Sequence, residues 1–524
     1  MKVLHALHGF LPEFRGGTEF YVKELARATR ELGIEPTILC GSGRTRQEPV
    51  IEIEEIEGLR VFRLHRTESY PDRWDHGFSP QAERLLERLL DEERPDILHV
   101  HHWKRLSRNL VTVAAEARLP SVVTLHDLHV TCPQEFRIRD GELCTDPLPN
   151  PECHRCLAPH PWQERDEVER ELRLHRDDFA RELRLARCVL TPSPAHARMV
   201  ATLLGRDVED FQAELLGDLG ALPAPPVEPH PEGKLRLAHW GHLDACKGSH
   251  LVVEALRSLT TDELDRIEVH LYGKAVTREF SLRLQELARG RPVFFHGAFE
   301  REELGGFAFE VAVIPSVASE SYSYVLNEAF SLGRPVIASR RGALEDRVGE
   351  AGLLFEPGDA EDLARRIREL VSDPTLLRRI TDAVPDRLPD MNDHARKIFA
   401  VYSRASMMGP PDLDLMPRGR RLSVLEQRCR QVEERAYDLL RREARIHELQ
   451  KKGWLLEGEK LELAFALRAA QETITRIEQD SGRLRARIDS LEKAMREGLA
   501  GRLARVVSPR RGLGKREQEG DGSS

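Results

Sequence analysis

The stretch Pro315-Ser316-Val317-Ala318-Ser319-Glu320-Ser321-Tyr322-Ser323-Tyr324-Val325-Leu326-Asn327-Glu328-Ala329-Phe330-Ser331-Leu332-Gly333-Arg334-Pro335-Val336 decides the fold. An apolar, β-branched run at 311–314 leads into it, a helical pattern fills 325–331, and a second apolar run follows at 336–338. Strand, loop, helix and strand in so short a span form the repeating unit of a buried parallel sheet. Two glutamates lie eight positions apart, Glu320 in the loop and Glu328 inside the helix. Between them the helix N-terminus exposes unpaired backbone N–H groups, which suits a diphosphate.

The same alternation extends on both sides. Segments 235–238, 267–271, 293–295, 311–314 and 336–338 read as strands, with helices around 249–258, 281–288, 325–331 and 360–371. This predicts a doubly wound, Rossmann-like α/β domain over 235–385. Upstream, Pro223, Pro225, Pro226, Pro229 and Pro231 mark 221–234 as a linker. Before it, strands at 3–7, 37–40, 97–101, 122–125 and 189–191, with helices at 18–32 and 80–92, predict a first domain of the same class over 1–220. Two such domains face each other across a cleft, a usual place for a ligand. A helix near 393–403, within a 386–408 crossover segment, is expected to pack back on the first domain.

The 524 residues carry a net charge of -9, which gives no reason to expect a nucleic-acid partner. The N-terminus runs directly into a strand pattern, and no apolar run has the length of a membrane span. A cytoplasmic protein, in peripheral contact with the inner face of a membrane, is the expectation. From Arg421 the composition turns to Arg, Glu, Leu and Ala. Leu467, Ala470, Ile474, Ile477, Ser481, Leu484, Ile488, Leu491 and Met495 alternate spacings of three and four. That register predicts a coiled coil over 421–500, for self-association or a partner. An amphipathic helix folded onto the other domains is the alternative. A basic, then Gly/Ser-rich tail covers 501–524; it suits anionic lipid or a solvated tail equally.

Several motifs fall in order over roughly the first 400 residues. Gly16-Gly17-Thr18-Glu19 follows the first strand and opens a helix. His126-Asp127 ends the strand at 121–125. Gly241-His242-Leu243, then Lys247-Gly248, follows the first strand of the second domain. With the Glu320/Glu328 pair, the set resembles the Glu-x7-Glu group of retaining family 4 glycosyltransferases with the GT-B fold. The resemblance implies a nucleotide-diphosphate-sugar donor in the second domain and a saccharide or lipid-linked acceptor at the first. It implies catalytic roles for His126, Glu320 and Lys247. It implies donor contacts from Gly16, Gly17, His242, Lys247, Tyr322, Ser323, Tyr324 and Glu328, with Glu320 at the sugar and Glu328 at the ribose. His242 stands where the family usually has arginine, and Tyr322-Ser323 where it commonly has Phe-Gly. The ring is kept, and serine is a good helix N-cap. No cofactor is required for such catalysis.

Cys132, Cys144, Cys153 and Cys156 fall within a Pro-rich loop over 130–158. Four thiolates suit a structural zinc ion, with His154 as a substitute ligand; free thiols or a disulfide are the alternatives. The family resemblance thus implies a retaining transferase and, by analogy with the family, one of bacterial surface polysaccharide or glycolipid assembly. A coiled-coil scaffold with a degenerate transferase domain is the competing reading, favoured by His242 alone.

Overall fold

A computed structural model describes residues 1–46, 48–66, 79–157, 165–220 and 230–411, with isolated positions beyond them. The first sheet holds β1 (Lys2–Leu7), β2 (Glu35–Gly41), β3 (Val50–Ile56), β4 (Leu59–His65), β5 (Ile97–Val100) and β6 (Ser121–Thr124). After a small antiparallel hairpin, β7 (Ile138–Arg139) and β8 (Glu142–Leu143), come β9 (Cys188–Thr191) and β10 (Gln212–Ala213). The order is β10-β9-β6-β5-β1-β2-β4-β3. All its pairs are parallel except β3 with β4. Helices on both faces bury its central strands, which is why these read as unbroken apolar runs.

The β3–β4 hairpin escapes that pattern. Glu57 and Gly58 turn it, both with positive φ, the geometry of a tight hairpin turn. β3 alternates Ile and Glu at the edge of the sheet, and its charges discourage pairing with another chain.

The second sheet is parallel throughout, in the order β13 (Val293–Gly297), β12 (Ile267–Tyr272), β11 (Leu235–Trp240), β14 (Val311–Ile314), β15 (Val336–Ser339) and β16 (Gly352–Phe355). The chain leaves β11 towards β12 on one side and β14 towards β15 on the other. The crevice at the carboxyl ends of β11 and β14 is therefore the switch point where open α/β sheets bind ligands. In the first sheet the corresponding place lies between β1 and β5.

The helix Met391–Met408 lies on the first domain. Its Ala395, Ile398, Val401, Tyr402 and Ala405 join the cluster of Leu7, Tyr21, Val22 and Leu25. Tyr402 shares a 2.7 Å hydrogen bond with His99 Nδ1, and His394 Nε2 one of 2.8 Å with the Tyr21 hydroxyl.

The expected linker at 221–234 lies mostly outside the described residues, as do the coiled coil expected over 421–500 and the tail at 501–524. In the separate unit 430–524, residues 447–448 and 450–453 are helical. Among the described residues no helix is long and apolar enough to cross a membrane.

Candidate active site

The loop after β11 is shaped by a close approach of backbones. Gly248 has φ +70°, and a Cβ there would stand 1.9 Å from the Pro315 carbonyl oxygen. Only glycine permits this contact. It draws Lys247 towards the loop after β14, where Lys247 Nζ lies 2.8 Å from Glu320 Oε1. The Ser316 hydroxyl donates to the same oxygen at 2.5 Å. Burial works to raise the Glu320 carboxyl, but Lys247 and Ser316 outweigh it and hold it below the usual carboxylate value. Burial likewise works to lower Lys247, and Glu320 overcomes it. The result is a charged pair at the switch point.

The helix Tyr324–Ser331 starts beside this pair. Serine at its N-cap was expected to bond the first turn, and it does not. Ser323 makes no side-chain cap and sits at φ +71°, ψ 90°, a left-handed conformation that suits glycine. The flanking rings face the first domain. The Tyr322 hydroxyl donates to the Leu216 carbonyl and that of Tyr324 to Gly217 at 3.2 Å. The Arg347 guanidinium covers the Tyr322 ring at 3.8 Å. What Tyr322 and Tyr324 leave for a ligand is backbone. Glu328 accepts from Trp240 Nε1 at 2.8 Å and pairs with Arg301 at 3.3 Å. Burial pushes its carboxyl up against both partners.

The first domain meets this face closely. Glu19 reaches back to the Gly16 N–H at 2.9 Å and pairs with His8 at 3.0 Å, which fixes the Gly16-Gly17 loop. A Cβ on Gly17 would stand 3.2 Å from the Tyr324 ring. The Ser321 hydroxyl donates to the His126 carbonyl at 2.6 Å, and the Ser193 hydroxyl to the Ser321 carbonyl at 2.8 Å. The His126 ring packs 5.2 Å from Tyr21. It continues inward as a chain of imidazoles: His126 Nε2 to His101 Nδ1 at 3.1 Å, and His101 Nε2 to His5 Nδ1 at 3.1 Å. Burial pushes His126 down to about 3, so at neutral pH it offers hydrogen bonds and no charge.

Lys247, Glu320, Ser323, Tyr324, Gly17 and His126 thus converge where the two domains meet. His242 is exposed on its loop. Cys132, Cys144, Cys153 and Cys156 line one small cavity beside the site, all as free thiols. Sequence reading passed over Ser316, Glu19, Ser193, Arg301 and Trp240, which hold the motif residues in place. Only Glu19 carried a local signal, as a first-turn glutamate placed to accept from the N-cap N–H of Gly16.

The chemistry available is clear. An ammonium and a helix N-terminus can take up negative charge on a leaving group, and a carboxylate and a neutral imidazole can bind hydroxyls. Comparison with known proteins agrees. Residues 15–210 match the model of Glycosyltransferase Family 4, and residues 234–373 that of Glycosyl transferases group 1. The D-inositol 3-phosphate glycosyltransferase of Arthrobacter sp. (strain FB24) is 27% identical over 384 residues, 68% of this chain and 82% of that protein. A shorter segment of 128 residues is 36% identical to the sulfoquinovosyl transferase SQD2 of Arabidopsis thaliana, covering 24% of that protein and 23% of this one. The structure of Anabaena Alr3699/HepE in complex with UDP-glucose shares the fold, with a TM-score of 0.53 and 18% identity over 77% of this chain and 100% of that one. The two matches lie in tandem over well more than half of the 524 residues, and the chain is a glycosyltransferase with a Glycosyltransferase Family 4 domain followed by a Glycosyl transferases group 1 domain.

Proposed function

We propose that the enzyme moves a sugar from a nucleotide-diphosphate donor to an acceptor hydroxyl with retention at the anomeric carbon. The observation that carries this reading is the Lys247–Glu320 pair at 2.8 Å, beside the start of the helix Tyr324–Ser331. In this reading the donor diphosphate displaces Glu320 from the ammonium. Lys247 and the backbone N–H groups near Ser323 then hold the phosphates, and Glu320 turns to the sugar hydroxyls. As the glycosidic bond to phosphate breaks, the released phosphate oxygen takes the acceptor proton, so attack comes from the same face. Glu328, fixed by Trp240 and Arg301, receives the ribose. His126 binds the transferred sugar from the first domain. His242 donates to phosphate where the family has arginine.

The acceptor is a saccharide or lipid-linked hydroxyl in bacterial surface polysaccharide or glycolipid assembly. The C-terminal repeat 421–500 makes the protein self-associate or hold a partner, and the basic tail touches anionic lipid. Incubating the full chain with a panel of nucleotide sugars tests the core of this reading. Saturable binding of one donor, its hydrolysis and an NMR-assigned retained anomer in the product are expected. Failure to bind any nucleotide sugar would leave only the scaffold reading.

A further inference from the structure

The loop between β6 and β9 holds four cysteines that glycosyl transfer does not use. Cys132 follows the turn at 128–131, and Cys144 leaves the β7–β8 hairpin. Cys153 and Cys156 stand at the two ends of a single helical turn. A spacing of three puts both sulfurs on one side of that turn. All four line one cavity of about 20 Å³ with Arg137 and Leu148. The segment's apolar cluster is small: Leu148, Leu157, Val168 and Leu172, with Cys132 and Cys153 packed against them. So small a core does not order a long loop unaided.

Charge distinguishes a metal site from four idle thiols. The Arg137 side chain is 3% exposed. Its guanidinium donates to the carbonyls of Cys144, Thr131 and Asp146 and to the Thr131 hydroxyl. Among the described residues it forms no ion pair with a carboxylate. A buried cation without a counterion is costly. Four thiolates around a divalent ion carry two net negative charges, half of which a neighbouring guanidinium offsets. One amide already donates to sulfur: Asn150 N–H lies 3.4 Å from Cys153 Sγ, the kind of support that orients metal-bound thiolates. His154 turns the other way, its Nδ1 against the Pro151 carbonyl.

We propose that Cys132, Cys144, Cys153 and Cys156 bind one zinc ion as four thiolates, and that this knuckle holds a bridge from the first domain to the donor lysine. Binding releases the thiol protons to solvent and changes no oxidation state. The bridge is the segment between Cys132 and Cys144. Its Glu135 is tied to Lys104 of the first domain at 2.6 Å. Its Phe136 ring lies 5.9 Å from Lys247 Nζ, and Ile138 packs against the core of the second domain. Zinc at both ends of this segment fixes the aromatic face beside the ammonium. Only this last step rests on the transferase reading.

The full chain, purified reduced and without chelator, should carry one zinc by elemental analysis. Replacement by cobalt should give the intense visible bands of a tetrahedral tetrathiolate. The Cys153→Ser/Cys156→Ser variant should lose both. Because that variant also risks misfolding, the wild-type cobalt spectrum decides. Zinc-free reduced protein whose four thiols react freely, two disulfides by mass, or octahedral cobalt bands would each overturn the site. Phe136→Ala should keep the zinc and raise the donor KM about tenfold, the scale of one lost cation–aromatic contact. An unchanged KM would overturn the bridge.

Discussion

The Ser321 hydroxyl donates to the backbone carbonyl of His126 at 2.6 Å, so the loop carrying Glu320 is fastened to the rim of the first domain. Ser193 holds the same loop through the Ser321 carbonyl at 2.8 Å. Glu320 and His126, the two residues proposed to bind the sugar, therefore share one short tether. Ser321→Ala removes it without touching the Lys247 pair. A net hydrogen bond is worth about 1 kcal/mol, so kcat/KM should fall roughly fivefold, with Tm nearly unchanged. Steady-state kinetics against wild type checks this; equal kcat/KM would mean that the tether does not position the site.

Lys247 supplies the site's positive charge at the switch point. Lys247→Ala should lower kcat by about a hundredfold or more, the usual effect of deleting one charge-stabilising donor. Glu320→Gln keeps the shape and loses the charge, and it too should abolish most turnover while the protein stays folded by circular dichroism. A Lys247→Ala enzyme with normal turnover would remove the leaving-group role.

Ser323 holds φ +71° without a capping bond. A non-glycine residue in such a conformation costs on the order of 1–3 kcal/mol, while glycine's extra freedom in the unfolded chain returns part of that. Ser323→Gly should therefore raise stability by about 1 kcal/mol and leave donor binding intact. Chemical denaturation measures it; a lower midpoint at constant slope would show that the hydroxyl contributes more than the strain costs.

Burial holds His5, His126 and His129 at about 3 and His196, His239 and His394 at about 4, against 6.5 for a free side chain. Below pH 6.5 the unfolded chain takes up protons that the folded one refuses. Their contribution is fully present above 6.5 and is lost as pH falls towards 4. Glu182, inside the first domain, runs the other way. Burial raises it from 4.5 to about 7, so its contribution is present below 4.5 and lost as pH rises through 7. Six histidines outweigh Glu182 together with Glu328, which burial also raises. Tm should fall steadily from pH 7 to pH 5, with more than one proton taken up on unfolding. A Tm that is flat or rising over that interval would contradict this balance.

The parallel strands were legible because burial on both faces writes itself as short runs of Val, Ile and Leu. The expected strands at 97–101 and 336–338 are β5 and β15, each within a residue or so at its ends. The β3–β4 hairpin was not read, since edge strands alternate Ile with Glu and resemble solvated chain. The helix Arg165–Leu185 was missed for a related reason. It buries charge: Glu182 accepts from Trp103 and from the backbone of Val111 and Thr112, and Asp178 pairs with Arg108 and Arg181. Sequence shows these as an ordinary charged helix, because Trp103, Arg108, Val111 and Thr112 come from another part of the chain. In the site, Glu320, Lys247 and His126 stood out through loop position and resemblance. The inward turn of Tyr322 and the strained Ser323 depended on backbone geometry that residue type does not encode.

The helix Met391–Met408 gives the chain an order of completion. Ile398, Val401, Tyr402 and Ala405 close the face over the helix Gly17–Glu31, and Tyr402 satisfies His99 deep in the first sheet. The domain synthesised first, whose last strand ends at Ala213, is thus finished by a helix that begins only at Met391. Until that helix emerges, the domain presents an open apolar face and a buried imidazole, His99, that keeps Thr124 but lacks the second of its two hydroxyl partners. A nascent chain halted in the second domain would be a client for chaperones, and a fragment ending before residue 391 would be insoluble where one ending after residue 411 would not.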